Sequence, residues 1–185
     1  MSETSAPDAQ AKYQVRLDWG VAGAERIVGG AHVAVVVDVL PSPDGEVIVA
    51  ALAGRGVVVL EGSLRNRSAV ARRILDLQEE RGERLMVAIV AAGERDRSAA
   101  GEAVRFTVED QLGAGAVVDA LIALGIDHTS PEAAVACAAF EGLRHASVHL
   151  IGASASGAAL VAQGRRPEVR AATEVDASDE VPTVG

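Results

Sequence analysis

Cysteine and aromatic residues are nearly missing from this chain. Cys137 is the only cysteine, and one Trp, one Tyr and two Phe make up the aromatics among 185 residues. A lone cysteine excludes an intramolecular disulfide, a Cys-rich zinc site and CxxC redox chemistry. With aromatics at 2%, the core has to be built from Val, Ala, Leu and Ile. Basic charge is also short: 17 Lys and Arg against 26 Asp and Glu give a net −9. That balance argues against nonspecific binding to nucleic acid or anionic membranes, which need positive surface. A small anionic ligand stays open, because a few local arginines outweigh the global charge. No apolar run approaches the roughly 20 residues of a membrane span. The first ten residues, Met1 to Gln10, are polar and lack a signal-peptide core, so a cytoplasmic protein is expected.

What is present points to one compact domain. Residues 1–11 are expected to be a disordered leader, 12–172 a single α/β domain and 173–185 an acidic tail that peels off the surface. Tyr13 to Trp19 alternates like a half-buried strand, and Val21 to Val28 fits a short helix stopped by Gly29 and Gly30. Val33 to Leu40 is a continuous β-branched run, as in a strand covered on both faces, and Asp38 interrupts it near its end. Pro41 to Gly45 reads as a turn. Glu46 to Arg55 fits a helix, with strand left open by Val47, Ile48 and Val49. Val57 to Glu61 is a strand, so a βαβ crossover is expected.

Ser68 to Arg81 has the period of a surface helix, and Leu85 to Ala91 that of a buried strand. Arg95 to Arg105 reads as a loop. Thr107 opens a helix with a capping-box-like Asp110 three residues on. Its Gly113 and Gly115 allow close approach to a neighbour. Ser130, Pro131 and Glu132 start another helix, apolar nearly all round to Leu143 and therefore expected to be buried. Ser147 to Ile151 is expected to be a strand, Gly152 to Gly157 a loop before a short helix, and Glu168 to Ala172 a last strand. Alternating strands and helices give a three-layer α/β/α sandwich with a mostly parallel sheet. In such sheets ligands bind beyond the carboxyl ends of the strands, where Ser63 to Asn66, Ala91 to Arg95 and Thr107 to Gly115 fall.

An ordered set of segments carries a resemblance. It comprises Val15 to Gly20, Val35 to Leu40, Pro41 to Gly45, Ser63-Leu64-Arg65-Asn66, Ala91 to Arg95, Val108 to Gly115, Ser130 to Ala133, Ser156-Gly157 and Asp176-Ala177-Ser178. In order and spacing these resemble the 2-phosphosulfolactate phosphatase (ComB-like) family, in its actinobacterial form. The resemblance implies a magnesium-dependent hydrolase that removes phosphate from 2-phosphosulfolactate, a step of coenzyme M biosynthesis. Two departures accompany it: a family segment between Leu40 and Pro41 is missing, and Asp44 stands where relatives tend to have Asn.

Phosphoryl transfer needs carboxylates for Mg²⁺, donors for phosphate oxygens and a group that positions water. Asp38, Glu94, Glu109 and Asp110 are the candidate metal ligands, with Asp38, Glu94 and Arg65 as the catalytic set. Ser63, Arg65, Asn66, Asp44 and Gly45 are the candidate substrate contacts. Each has a plainer reading. Asp38 also fits a hydrogen-bonding structural role, Glu94 an ion pair with Arg95, and Asn66 with Ser68 a helix cap. For Glu109 and Asp110 the favoured reading is a cap in the first helical turn. Arg95 and Arg97 read as solvated. Gly152 to Gly157 is neither a P-loop nor a nucleophile elbow; a turn is favoured over anion-binding amides. His32, His128, His145 and His149 lack metal-ligand spacing, and Cys137 reads as a small buried hydrophobe.

A phosphatase acting on a small phosphorylated hydroxy acid is thus the first expectation. A catalytically reduced paralogue that binds an anion or a protein partner is the second. A homodimer whose partner rebuilds the missing part of the site is the third.

Overall fold

The computed structural model describes residues 6–95 and 103–184. Four strands run parallel through its centre: β1 (Val15–Trp19), β2 (Val33–Val37), β3 (Val58–Gly62) and β4 (Val87–Ala91). Their spatial order is β1-β4-β2-β3. β2 and β4 are buried at every position, which is why both read as unbroken apolar runs.

α1 (Gly20–Ile27) and α2 (Pro43–Leu52) cover one face, where Ala24, Ile27, Ile48 and Leu52 pack on Val36, Val59 and Val90. α3 (Arg67–Arg81), α4 (Val108–Ala123) and α5 (Pro131–Leu143) cover the other, through Val70, Ile74, Leu112, Val117 and Phe140. The architecture is an α/β/α sandwich. α4 lies flush against its neighbours: a side chain at Gly113 would strike Val39, and one at Gly115 the Ala136 carbonyl.

Several elements differ from the sequence expectation. Pro41 to Gly45 is only partly a turn, because Ser42 caps α2 through Asp44 N and Pro43 occupies its first turn. Glu94–Arg95 (β5) pairs antiparallel with Val104–Arg105 (β6), so the ends of the expected loop form a small ladder. Ser147–Ala153 (α6), expected to be a strand, is a helix that buries Ser147 and Ile151, one turn apart, and leaves Val148 60% exposed. Ala155–Ala162 (α7) follows, capped by Ser154. Arg166–Ala172 (α8), also expected to be a strand, is a helix with proline in its first turn and Val169 and Ala172 buried. α5 is buried on one face only, since Val135 is 66% exposed.

Both ends of the described chain pack on the domain. Met1 to Ser5 lie outside the described residues, but Pro7–Ala9 form a 3₁₀ turn and the buried Gln10 exchanges two hydrogen bonds with the Leu17 backbone. The acidic tail does not peel away. Asp176 pairs with Arg67 and accepts from Ser68 N, Asp179 pairs with Arg72, and Thr183–Val184 (β7) joins the edge of β3 antiparallel. Its acids meet the arginines of α3, and its last strand covers an otherwise open sheet edge. Among the described residues no single helix is long and apolar enough to cross a membrane.

Candidate active site

β2 and β4 are neighbours, yet α2 after β2 lies on one face of the sheet and α4, which follows β4 through the small ladder, lies on the other. A crevice therefore opens at their carboxyl ends, the position where open α/β sheets bind ligands. An open cleft of about 820 Å³ occupies it.

Asp38 enters the cleft immediately after β2. Its Oδ2 accepts from Ser42 N at 2.8 Å and from the Ser42 hydroxyl at 3.0 Å. Burial raises its pKa to about 6; the Ser42 bonds oppose the rise, and the negative Asp44 and Glu109 add to it. Gly45 lies directly behind, where a side chain would run into the Asp38 carboxylate.

From β4 the chain passes through Gly93, at φ 64°, to Glu94 and Arg95. Arg95 donates its amide to Asp44 Oδ2 at 3.1 Å, with its guanidinium 3.6 Å from the same carboxylate. β6 brings Arg105 back into an ion pair with Glu94. Both arginines line the cleft, as does the start of α7 through Ala155 and Ser156.

Glu109 and Asp110 form the floor at the first turn of α4, 3% and 2% exposed. Asp110 accepts from Val39 N at 2.8 Å, Gly93 N at 2.9 Å and the Thr107 hydroxyl at 2.7 Å. Burial, then the nearby Asp38 charge, raises its pKa to about 7 against the pull of the Val39 and Thr107 bonds; Glu109 adds to the rise. Thr107 makes no side-chain cap to the helix amides, so the expected capping box is absent. The Oε2 of Glu109 is buried and meets no hydrogen-bond donor among the described residues.

That orphaned oxygen is the observation against which a divalent cation can be tested. An unpaired carboxylate oxygen away from water is costly unless something positive meets it. Asp38 and Glu109 are two carboxylates facing one cleft, and Mg²⁺ takes one or two while keeping several waters. The donor set fits Mg²⁺. Asp119, Cys137 and Glu141 bring their ligand atoms within 4.8 Å of one another, but Asp119 is paired with Arg67 and the set includes a thiol pushed up to about 11 by burial. That chemistry does not suit a hard cation.

Of the expected site residues, Asp38, Asp44, Glu94, Glu109 and Asp110 come together at this cleft, with Gly45 behind them. Ser63, Arg65 and Asn66 do not line it. Asn66 accepts from Ser63 N and donates to the carbonyls of Glu61 and Glu180. Arg65 reaches the Ala171 carbonyl at 2.6 Å and Glu174 at 3.0 Å. Arg65 and Asn66 hold the returning tail, and Ser63 caps the turn between them through its bonds to Asn66 and Arg65 N. Arg97 lies outside the described residues. Sequence reasoning passed over Arg95 and Arg105 as cleft cations, and Ser42 and Thr107 as donors to its acids. Only the β5–β6 pairing, invisible to periodicity, brings the two arginines to one place.

No curated protein matches the chain. The model of a family described as 2-phosphosulpholactate phosphatase matches residues 39–185, from the residue after Asp38 through the returning tail. That span contains the acidic floor, both cleft arginines and the α7 wall, and the chain belongs to the 2-phosphosulpholactate phosphatase family.

Proposed function

We propose that this protein hydrolyses the phosphate monoester of 2-phosphosulfolactate, or of a closely related phosphorylated hydroxy acid, with Mg²⁺ as its cofactor. The buried Glu109 oxygen, without a donor among the described residues and on the same cleft as Asp38, is the observation that carries the reading. Family membership supplies the substrate class.

Asp38 and Glu109 are the residues that would hold the cation, which when bound offsets charge on the phosphoryl oxygens. Arg95 and Arg105 serve the remaining anionic groups of the substrate. Both already carry carboxylate partners, Asp44 and Glu94, in half-exposed pairs that exchange readily for a stronger anion. Water attacks phosphorus, the ester P–O bond breaks, and the leaving alkoxide takes up a proton. Glu94, at the mouth of the cleft, is the group assigned to orient the water. The products are orthophosphate and the free hydroxy acid.

The test is phosphate release from 2-phosphosulfolactate and a panel of phosphorylated hydroxy acids, with Mg²⁺ and with EDTA. Metal-dependent turnover should fall about a hundredfold or more in Asp38→Asn and in Glu109→Gln. A folded wild type inert toward the whole panel overturns the reading.

The pairing of both cleft arginines favours a second one, a catalytically reduced paralogue that binds an anion without turnover. It predicts saturable binding of inorganic phosphate by calorimetry alongside an inert panel.

A further inference from the structure

We infer that Asp110, braced by Thr107, is a positioning residue that fixes the spacing of the two strand exits from which the cleft's reactive side chains leave. Its bonds run out of its own helix: although Asp110 belongs to the first turn of α4, its carboxylate joins two other elements. Oδ1 accepts from Val39 N, one residue past Asp38, and Oδ2 accepts from Gly93 N, one residue before Glu94.

The β2–β4 ladder ends where Val37 stands beside Ala91, with a last bond from Ala92 N to Val37 O. Beyond that point the two exits separate to form the cleft, and the Asp110 carboxylate replaces the ladder as their connection. Asp38 and Glu94 each adjoin an amide held by it, and Glu109 precedes it in the chain. One buried side chain therefore sets the backbone next to three cleft carboxylates.

The Thr107 hydroxyl donates to Oδ2 as well, so three donors converge on two oxygens. An asparagine there has a single acceptor oxygen, and its NH₂ would confront an amide N–H. Small displacements of reacting groups are expensive in rate, which gives such a bridge a catalytic consequence. That consequence rests on the phosphatase reading; the bridge itself does not.

The experiment uses the full chain as wild type, Asp110→Asn, Thr107→Val and Thr107→Ser. Steady-state kinetics would be measured beside the ¹H–¹⁵N signals of Val39 and Gly93. The expected result for folded Asp110→Asn is a kcat lowered about a hundredfold with KM within about threefold, and both amide signals moved upfield. Thr107→Val should lose about tenfold in kcat with a smaller shift at Gly93, and Thr107→Ser should restore both.

Retained kcat with moved signals overturns the inference, because the spacing then does not govern the chemistry. Lost kcat with unmoved signals also overturns it, since Asp110 would then act on the reacting groups directly. If Asp110→Asn does not fold, Thr107→Val is judged by the same two readouts. A wild type without turnover defeats the phosphatase reading instead. The bridge is then decided by the amides: unmoved signals in Asp110→Asn reject it, and moved signals sustain it.

Discussion

Arg16 has its guanidinium inside the protein, donating to the carbonyls of Ala11, Tyr13, Ile27 and Gly29. Among the described residues no carboxylate pairs with it, and burial lowers its pKa. Ile27 and Gly29 lie at the end of α1, where unsatisfied carbonyls carry the negative pole of the helix. Arg16→Met should therefore cost roughly 3 kcal/mol in urea unfolding, by orphaning four acceptors, and leave turnover per folded molecule unchanged. Arg65 gives a sharper contrast. Its half-exposed contacts to Ala171 and Glu174 predict that Arg65→Ala loses about 1 kcal/mol of stability with kcat within about twofold of wild type. A hundredfold loss of kcat would return Arg65 to the site. From the sequence, Arg65 and Asn66 look like anion donors, because residue type and strand-end position are local information. Their partners lie 106 and 114 residues away in the chain, and no local pattern reports a contact of that kind. Asp38 is legible for the opposite reason: a carboxylate in an apolar run requires a partner wherever the run ends.

At the scale of elements, the strands β1 to β4 and the helices α3 to α5 are readable from an apolar run, a period or a start signal in their own residues. Ser130 accepts from Ala133 N and Gly82 ends α3 in the left-handed region, both as their residue types suggest. α6 and α8 are not readable in the same way. Five apolar-leaning residues fit a strand or a short helix equally, and the choice is made by where the surrounding core leaves room. The tail is the plainest case of tertiary override. Its acidity suggests a solvated end, but α3 presents Arg67 and Arg72 to Asp176 and Asp179. Ending the chain after Thr173 would remove β7 from the β3 edge, leave Arg72 without its Asp179 partner and leave Arg67 with Asp119 alone. The truncated protein should melt roughly 5 to 10 °C lower, and associate at concentrations where the full chain does not. An unchanged melting temperature, with unchanged light scattering, would mean that the strap contributes nothing.

Across the whole molecule, alternation of strands and helices conveys the sandwich but not the order β1-β4-β2-β3, which decides where the sheet opens. That order brings Asp38 and Asp110 together in a protein already carrying a net −9. The result is a stability that depends on pH with a definite sign. Both carboxyls titrate near 3.8 when unperturbed, and the fold raises them to about 6 and about 7. Between 3.8 and those values the native state keeps protons that the unfolded chain has released, so this contribution to stability falls as pH rises through the window. It levels off once both groups are ionised in the fold. For Asp38 the change is on the order of 3 kcal/mol. Exposed pairs such as Arg165 with Glu168, which lower a carboxyl, push the other way, so the wild-type curve alone does not isolate the effect. The difference between wild type and Asp38→Asn does. Urea unfolding from pH 4 to pH 8 should show Asp38→Asn gaining on wild type steadily up to about pH 7, since the variant also relieves Asp110 of the Asp38 charge, and holding that gain above it. On the proposed Mg²⁺ reading, added cation should reduce the gain at pH 8 and leave pH 4 unaffected, because it would stabilise the ionised carboxylates of the wild type and the variant has lost one of them. A difference curve that is flat, or that falls with pH, would mean that the cleft does not desolvate the Asp38 carboxyl.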